Sequence, residues 1–199
     1  MASSQDIVRI LHTETETPVG TIRQMLNRLR DAGIVAPTKR GFGAADFTTA
    51  DAVALTLAVA LAPPDSQTVD AVNRVRSARI ASFHPSPLAN DQAVSKMRAT
   101  LAVVADLGID VVTIESAGRV ITTVLDAMRS GAFARWGGEV MVEVRHDGVA
   151  IIFDLMNRNE AATFMFGEFG EPCALERITR IYGGLFRTIA AELGPMKTD

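Results

Sequence analysis

Between Thr17 and Gly33 the apolar residues Ile22, Met25, Leu26 and Leu29 recur at helical spacing, which predicts an α-helix with one buried side. Thr17-Pro18 suits its start, because the Thr hydroxyl can accept an orphan N–H and Pro at the first helical position lacks the donor that would go unpaired. Gly33 suits its end. Opposite the apolar side stand Gly20, Gln24 and Asn27 in line, with Arg23 and Arg28 on the shoulders of that polar stripe. Upstream, Ser4 can cap a short helix through about His12 whose inner side is Ile7, Val8, Ile10 and Leu11, with His12 near its terminal carbonyls. Thr13 to Thr17 is then a polar turn. Downstream, Thr48 and Asp51 have capping-box spacing and open a helix to Ala62. That helix is apolar all round and belongs at the centre of the amino-terminal core. Asp65 or Ser66 begins another, with Val69, Val72 and Val75 inward and Arg74, Arg76 and Arg79 outward.

The pattern changes after His84-Pro85-Ser86-Pro87, where two prolines stop helix and disfavour strand. The expected division is therefore residues 1–82 and 83–199. Asp91 to Leu107 reads as a helix ended by Gly108, and Asp110 to Met128 as another, although its Val, Ile and Thr residues also suit strand. Glu139 to Leu155 alternates as a hairpin about an Asp147-Gly148 turn of type I′, which would set Val144 opposite Ile151, Val142 opposite Phe153 and Val140 opposite Leu155. Glu143 and Arg145 fall on the other side, and His146 beside the turn reads as structural. A third strand over about Ala161 to Gly167 completes an antiparallel meander. A closing helix, Cys173 to Leu193, would present Leu175, Ile178, Tyr182, Leu185 and Ile189 as one narrow seam, packing on the sheet or pairing with a second copy. Gly183-Gly184 in mid-helix costs about 1 kcal/mol per Gly relative to Ala, which close backbone packing would offset. The fold class expected is α+β and mostly helical.

Composition sharpens this picture mainly by exclusion. The chain has 199 residues, 48% of them hydrophobic and 22% charged, enough material for a packed core. Its formal net charge of −3 supplies no bulk attraction to nucleic acid, so any such contact needs a local patch. Through Ile80 there are nine Lys/Arg against eight Asp/Glu, and beyond it eleven against fifteen. The single cysteine, Cys173, has no internal disulfide partner, and the three histidines lack metal-ligand spacing. No secretory pattern opens the chain, and the longest apolar stretch, Ala52 to Ala62, falls short of the roughly 20 residues of a membrane span. A cytoplasmic protein without cofactor or metal is expected. No nucleophile elbow, phosphate loop, dinucleotide fingerprint or zinc motif occurs, and Asp106 with Asp110 has no His beside it. Enzymatic activity is not expected.

Function is carried by the succession Thr21-Ile22-Arg23, Leu29-Arg30-Asp31-Ala32-Gly33-Ile34-Val35, Lys39-Arg40-Gly41-Phe42-Gly43 and Phe47-Thr48-Thr49-Ala50-Asp51. This order resembles a winged helix-turn-helix over about the first 60 residues, and most of all the MerR type: a recognition helix beginning Thr-Ile-Arg, a Gly-hydrophobic exit, a basic wing, then a helix with an acid near its start. It departs from MerR at Gln24-Met25 and at Phe47, where that family usually has other residues. The resemblance implies a bacterial-type transcription regulator that binds double-stranded DNA. Thr21, Arg23, Gln24, Asn27 and Arg28 would face the major groove, where amides read adenine edges and guanidinium groups take guanine or phosphate. Lys39 and Arg40 would meet phosphates from the wing. The remainder would dimerise through Leu175, Ile178, Tyr182, Leu185 and Ile189, or sense a small-molecule or protein effector. Two alternatives stand beside this: a protein-interaction or assembly module that uses the winged fold without DNA, and an enzyme whose site is assembled from scattered residues of the second half.

Overall fold

In the computed structural model the described residues are 2–37, 47–63, 65–85, 104–105, 107–110, 116–145, 148–155, 160–167 and 178–196. Four helices lead: α1 (Ser4–Thr15), α2 (Val19–Asp31), α3 (Thr49–Leu61) and α4 (Thr68–Ser77), the last entered through a 3₁₀ turn at Asp65–Gln67. A strand β1 (Ile80–Pro85) follows, then α5 (Ala117–Arg129), the short α6 (Ala132–Trp136), β2 (Glu139–Val144), β3 (Gly148–Leu155), β4 (Glu160–Gly167), β5 (Thr179–Tyr182) and α7 (Gly183–Leu193). The strands form one antiparallel sheet in the order β1-β4-β3-β2-β5. The fold is α+β.

Local chemistry explains the helix ends. Ser3, one residue before the expected cap, accepts from the Asp6 N–H while the Asp6 carboxylate accepts from Ser3, and Thr48 with Asp51 repeats this reciprocal arrangement at α3. α1 runs on beyond His12 to Thr15. α3 is buried on nearly every side, from Thr49 to Ala60, and packs on α1, α2, α4 and α5. Of the expected helix 91–107, only residues 104, 105 and 107 are described. The stretch from Asp110 resolves as helix from Ala117 to Arg129, capped by Ser116, whose hydroxyl accepts from Arg119 at 3.4 Å; residues 111–115 lie outside the described residues.

The sheet departs from expectation in three places. The hairpin pairs Val144 with Val149, Val142 with Ile151 and Val140 with Phe153, and the Arg145 N–H donates to the Gly148 carbonyl at 2.9 Å. His146 and Asp147 are thus the two intervening residues, themselves outside the described residues, in place of Asp147-Gly148. The pairing differs from the expected one by two positions, an even step, so the valines keep their inward face. The expected boundary between residues 82 and 83 falls inside β1, which pairs with β4 from Ile80 opposite Phe166 to Pro85 opposite Ala162. Pro85 is the last residue of β1, and among the described strands β1 pairs with β4 alone, so its missing N–H falls at the end of the ladder.

The third departure is the closing helix. Thr179–Tyr182 is a strand paired with β2, so α7 starts only at Gly183. The cause is cross-strand: Arg180 lies opposite Glu143 and donates to its carboxylate at 3.2 Å, and Ile181 lies opposite Val142 in the core. Gly183 stands at the strand-to-helix turn rather than in mid-helix, where an added Cβ would lie 3.1 Å from the Val140 carbonyl oxygen. The expected seam is therefore not one helical stripe. Ile178 precedes the strand, Tyr182 ends it, Leu185 is half-buried on α7, and Ile189 is fully buried inside the chain; Leu175 lies outside the described residues.

One set of buried side chains runs through both halves, from Ile7 and Leu11 through Leu55 and Leu57 to Phe153, Phe164 and Phe186. Phe133, Trp136, Phe153 and Phe164 form a chain of tilted and edge-on rings with centroids 5.0, 6.0 and 5.6 Å apart. Polar ties reinforce the joint. Thr49 donates to Asp126 at 2.6 Å and accepts from Arg129 at 2.7 Å, and Arg129 also donates to the Gly194 carbonyl at 2.8 Å.

Candidate nucleic-acid interface

Helix α2 buries Ile22, Met25, Leu26 and Leu29 against α1 and α3. The period that buries these four leaves Gly20, Arg23, Gln24 and Asn27 exposed together, with Thr21 and Arg28 half-buried at the margins. Arg23, Gln24 and Asn27 make no hydrogen bond or ion pair among the described residues, so their donors and acceptors are open to an external partner. Arg28 already interacts within the chain. At Gly20 an added Cβ would meet nothing within 4 Å, so its absence serves no internal packing.

Both ends of α2 are held. Its N-cap residue is Pro18 and the first helical residue Val19, one position later than Thr17-Pro18 predicts, so Thr17 contributes otherwise than as a cap. The Thr17 carbonyl lies 2.9 Å from Nδ1 of His12, and the Thr15 and Thr17 hydroxyls are hydrogen-bonded at 2.8 Å, with Thr17 donating because the Thr15 hydrogen is directed at the Leu11 carbonyl; this ties the end of α1 to the entry of α2. At the far end Gly33 adopts φ +69°, and the Leu29 carbonyl accepts from Ile34 at 2.8 Å and from Val35 at 3.2 Å. A further anchor is Arg30, which donates to the Ser4 hydroxyl at 2.8 Å. Burial lowers its pKa and the neighbouring Asp51 carboxylate opposes that fall.

Asp51 has a role that periodicity did not reveal. In capping α3 the buried carboxylate accepts from the Thr48 N–H at 2.9 Å, and its other oxygen accepts from the Ala36 N–H at 3.2 Å. One side chain thus fastens both flanks of residues 38–46. Lys39 and Arg40 lie in that stretch, outside the described residues. Arg74 and Arg79 are exposed and Arg76 is half-buried, on and just after α4, which itself packs against α2.

Among the described residues no group of three or more His, Cys, Asp or Glu side chains is placed to hold a metal ion, and no helix is long and apolar enough to cross a membrane. Glu143 is the one glutamate buried among them, and it is committed to Arg145 at 2.7 Å and Arg180 at 3.2 Å. No protein-family model, no curated protein and no solved structure matches this chain.

Proposed function

We propose that this protein is a sequence-specific DNA-binding transcription regulator, with an amino-terminal winged helix-turn-helix that places α2 in the major groove. The observation that carries the reading is the open row of Arg23, Gln24 and Asn27 on a helix whose other side is fully buried and whose two ends are tied down. Amide and guanidinium groups held on a rigid helix can match base edges, because their positions are set before the duplex arrives. Lys39 and Arg40 supply phosphate contacts from the wing, and Thr21 and Arg28 border the groove. With a net charge of −3, affinity rests on this local patch. Two copies on one operator would make the second reading event effectively intramolecular and raise affinity without new contacts.

The test is selection of bound sequences from a random duplex pool by the full chain, followed by titration of the winner against its scrambled counterpart at several salt concentrations. Enrichment of one motif, with affinity falling steeply with salt, is the expected result. No enrichment together with no salt-dependent binding would remove DNA as the partner and return the molecule to the class of protein-interaction modules.

A further inference from the structure

The outer edge of β5 opens into a cleft of about 380 Å³, and its chemistry points to a second kind of partner. Thr179, Arg180, Ile181 and Tyr182, the whole of the strand, line this cleft. Successive strand side chains point to opposite faces of a sheet. A cleft that touches all four residues therefore reaches the strand edge as well as the face on which α3 packs. β2 occupies the opposite edge of β5, and no strand among the described residues pairs with this one. The facing wall is helical, with Leu11, Glu14 and Thr15 from α1 and Thr56 and Val59 from α3.

The polar groups inside are mostly spoken for. Thr15 donates to the Leu11 carbonyl at 2.6 Å, Thr56 to the Ala52 carbonyl at 2.8 Å, and Arg180 to Glu143 at 3.2 Å. The Glu14 carboxylate has no hydrogen bond or ion pair among the described residues, which leaves it as the uncompensated charge of the cleft. Ile178 and Tyr182, 40% and 62% exposed, stand at either end of the strand. Exposed apolar side chains of this size beside a strand edge that no described strand pairs mark a place where another chain can pair.

We propose that β5 binds an extended peptide segment of a partner protein as a sixth strand. The backbone of the peptide pairs with the edge that no described strand occupies, an apolar side chain seats against Tyr182 and Leu185, and a lysine or arginine faces Glu14. Helical walls opposite the edge select an isolated extended segment over the rim of another sheet. Thr17, just before α2, also lines the cleft, so an occupied cleft touches the entry of the helix assigned to DNA. The inference itself stands without DNA binding.

Its test uses the full chain, isotopically labelled, and three hexapeptides of alternating valine and threonine: one with a central lysine, one with glutamate in its place, and the lysine peptide N-methylated at alternate residues. The lysine peptide should shift the amide resonances of Thr179 to Tyr182 saturably, the glutamate peptide should bind about five- to tenfold more weakly, and the N-methylated peptide should not bind. Glu14→Lys, on an exposed helix face, should keep the thermal transition and invert the preference between the two charges. Absence of shifts at Thr179 to Tyr182, equal binding of the N-methylated peptide, or an unchanged charge preference in Glu14→Lys would each overturn the proposal. So would a wild-type dimer in sedimentation that Glu14→Lys dissociates, since a second copy would then fill the cleft.

Discussion

Gln24 and Asn27 are the residues on which a difference between reading DNA and merely touching it would be measured. Both are exposed and make no hydrogen bond or ion pair among the described residues, so Gln24→Ala and Asn27→Ala should leave the thermal transition where it is. Each should reduce discrimination between cognate and scrambled duplexes by about 1–3 kcal/mol, the worth of a bidentate base contact. A binding titration in which both mutants keep full specificity would remove α2 as the reader. Lys39 and Arg40 belong to a different test. Phosphate contacts carry charge without sequence, so replacing both with Ala should weaken binding to all duplexes alike and lower the salt slope by roughly one to two. Asp51 shows how one residue can be seen in a sequence and still be underestimated: its spacing from Thr48 marks the cap, whereas the bond to Ala36 depends on a chain segment fifteen residues away.

At the level of elements, the β2–β5 ladder shows what a charge can do to a strand. Burial by itself would raise the Glu143 pKa, but the hydrogen bonds and charges of Arg145 and Arg180 outweigh it and hold the carboxyl below its ordinary value of 4.5. A carboxylate with a depressed folded pKa contributes stability that is fully present above the ordinary value and is lost as pH falls through the depressed one. Glu143→Gln should therefore destabilise the protein at neutral pH, by about 1.5–3 kcal/mol for the lost charge-assisted bonds, and flatten the acid limb of its stability curve below pH 4.5. Denaturant titrations at neutral and acidic pH check this; parallel curves for wild type and mutant would mean that other carboxylates govern the acid limb. The same ladder explains why a helix was expected over Cys173–Leu193. The spacing of Ile178, Tyr182, Leu185 and Ile189 fits a heptad, and nothing local to Thr179–Tyr182 announces that Glu143 waits opposite Arg180.

Across the whole molecule, the halves expected to be separate share one core. α5 lies so close to α4 that a Cβ added at Gly118 would come within 2.9 Å of the Arg76 carbonyl oxygen, a backbone atom that cannot step aside cheaply. Shared burial predicts a single cooperative unfolding transition, with far-ultraviolet dichroism and Trp136 fluorescence changing together. Two separated transitions would show the halves to be energetically independent. Arg129 is the polar counterpart of this joint. Arg129→Ala removes the bonds to Thr49 and to the Gly194 carbonyl, and should lower stability by about 1–3 kcal/mol while keeping the transition single.

By itself the sequence determined what short-range chemistry controls. The capping box of Thr48 and Asp51, the apolar period of α2, the αL glycine at its end, the buried nature of α3 and the alternating hairpin all depend on residues within a turn or two of one another. The exposed row on α2 was legible for the same reason, since burying Ile22, Met25 and Leu29 leaves Gln24 and Asn27 only the outer side. Tertiary structure decided the rest. Pro85 could join a sheet only because β4 offered an edge, and Thr179–Tyr182 became strand because β2 held both a hydrophobic and an ionic partner for it. The cleft along β5 likewise exists only once α1 and α3 have been brought against the sheet. Such pairings are free-energy differences between distant segments, summed over burial and hydrogen bonding, and no window of local sequence contains both sides of that sum.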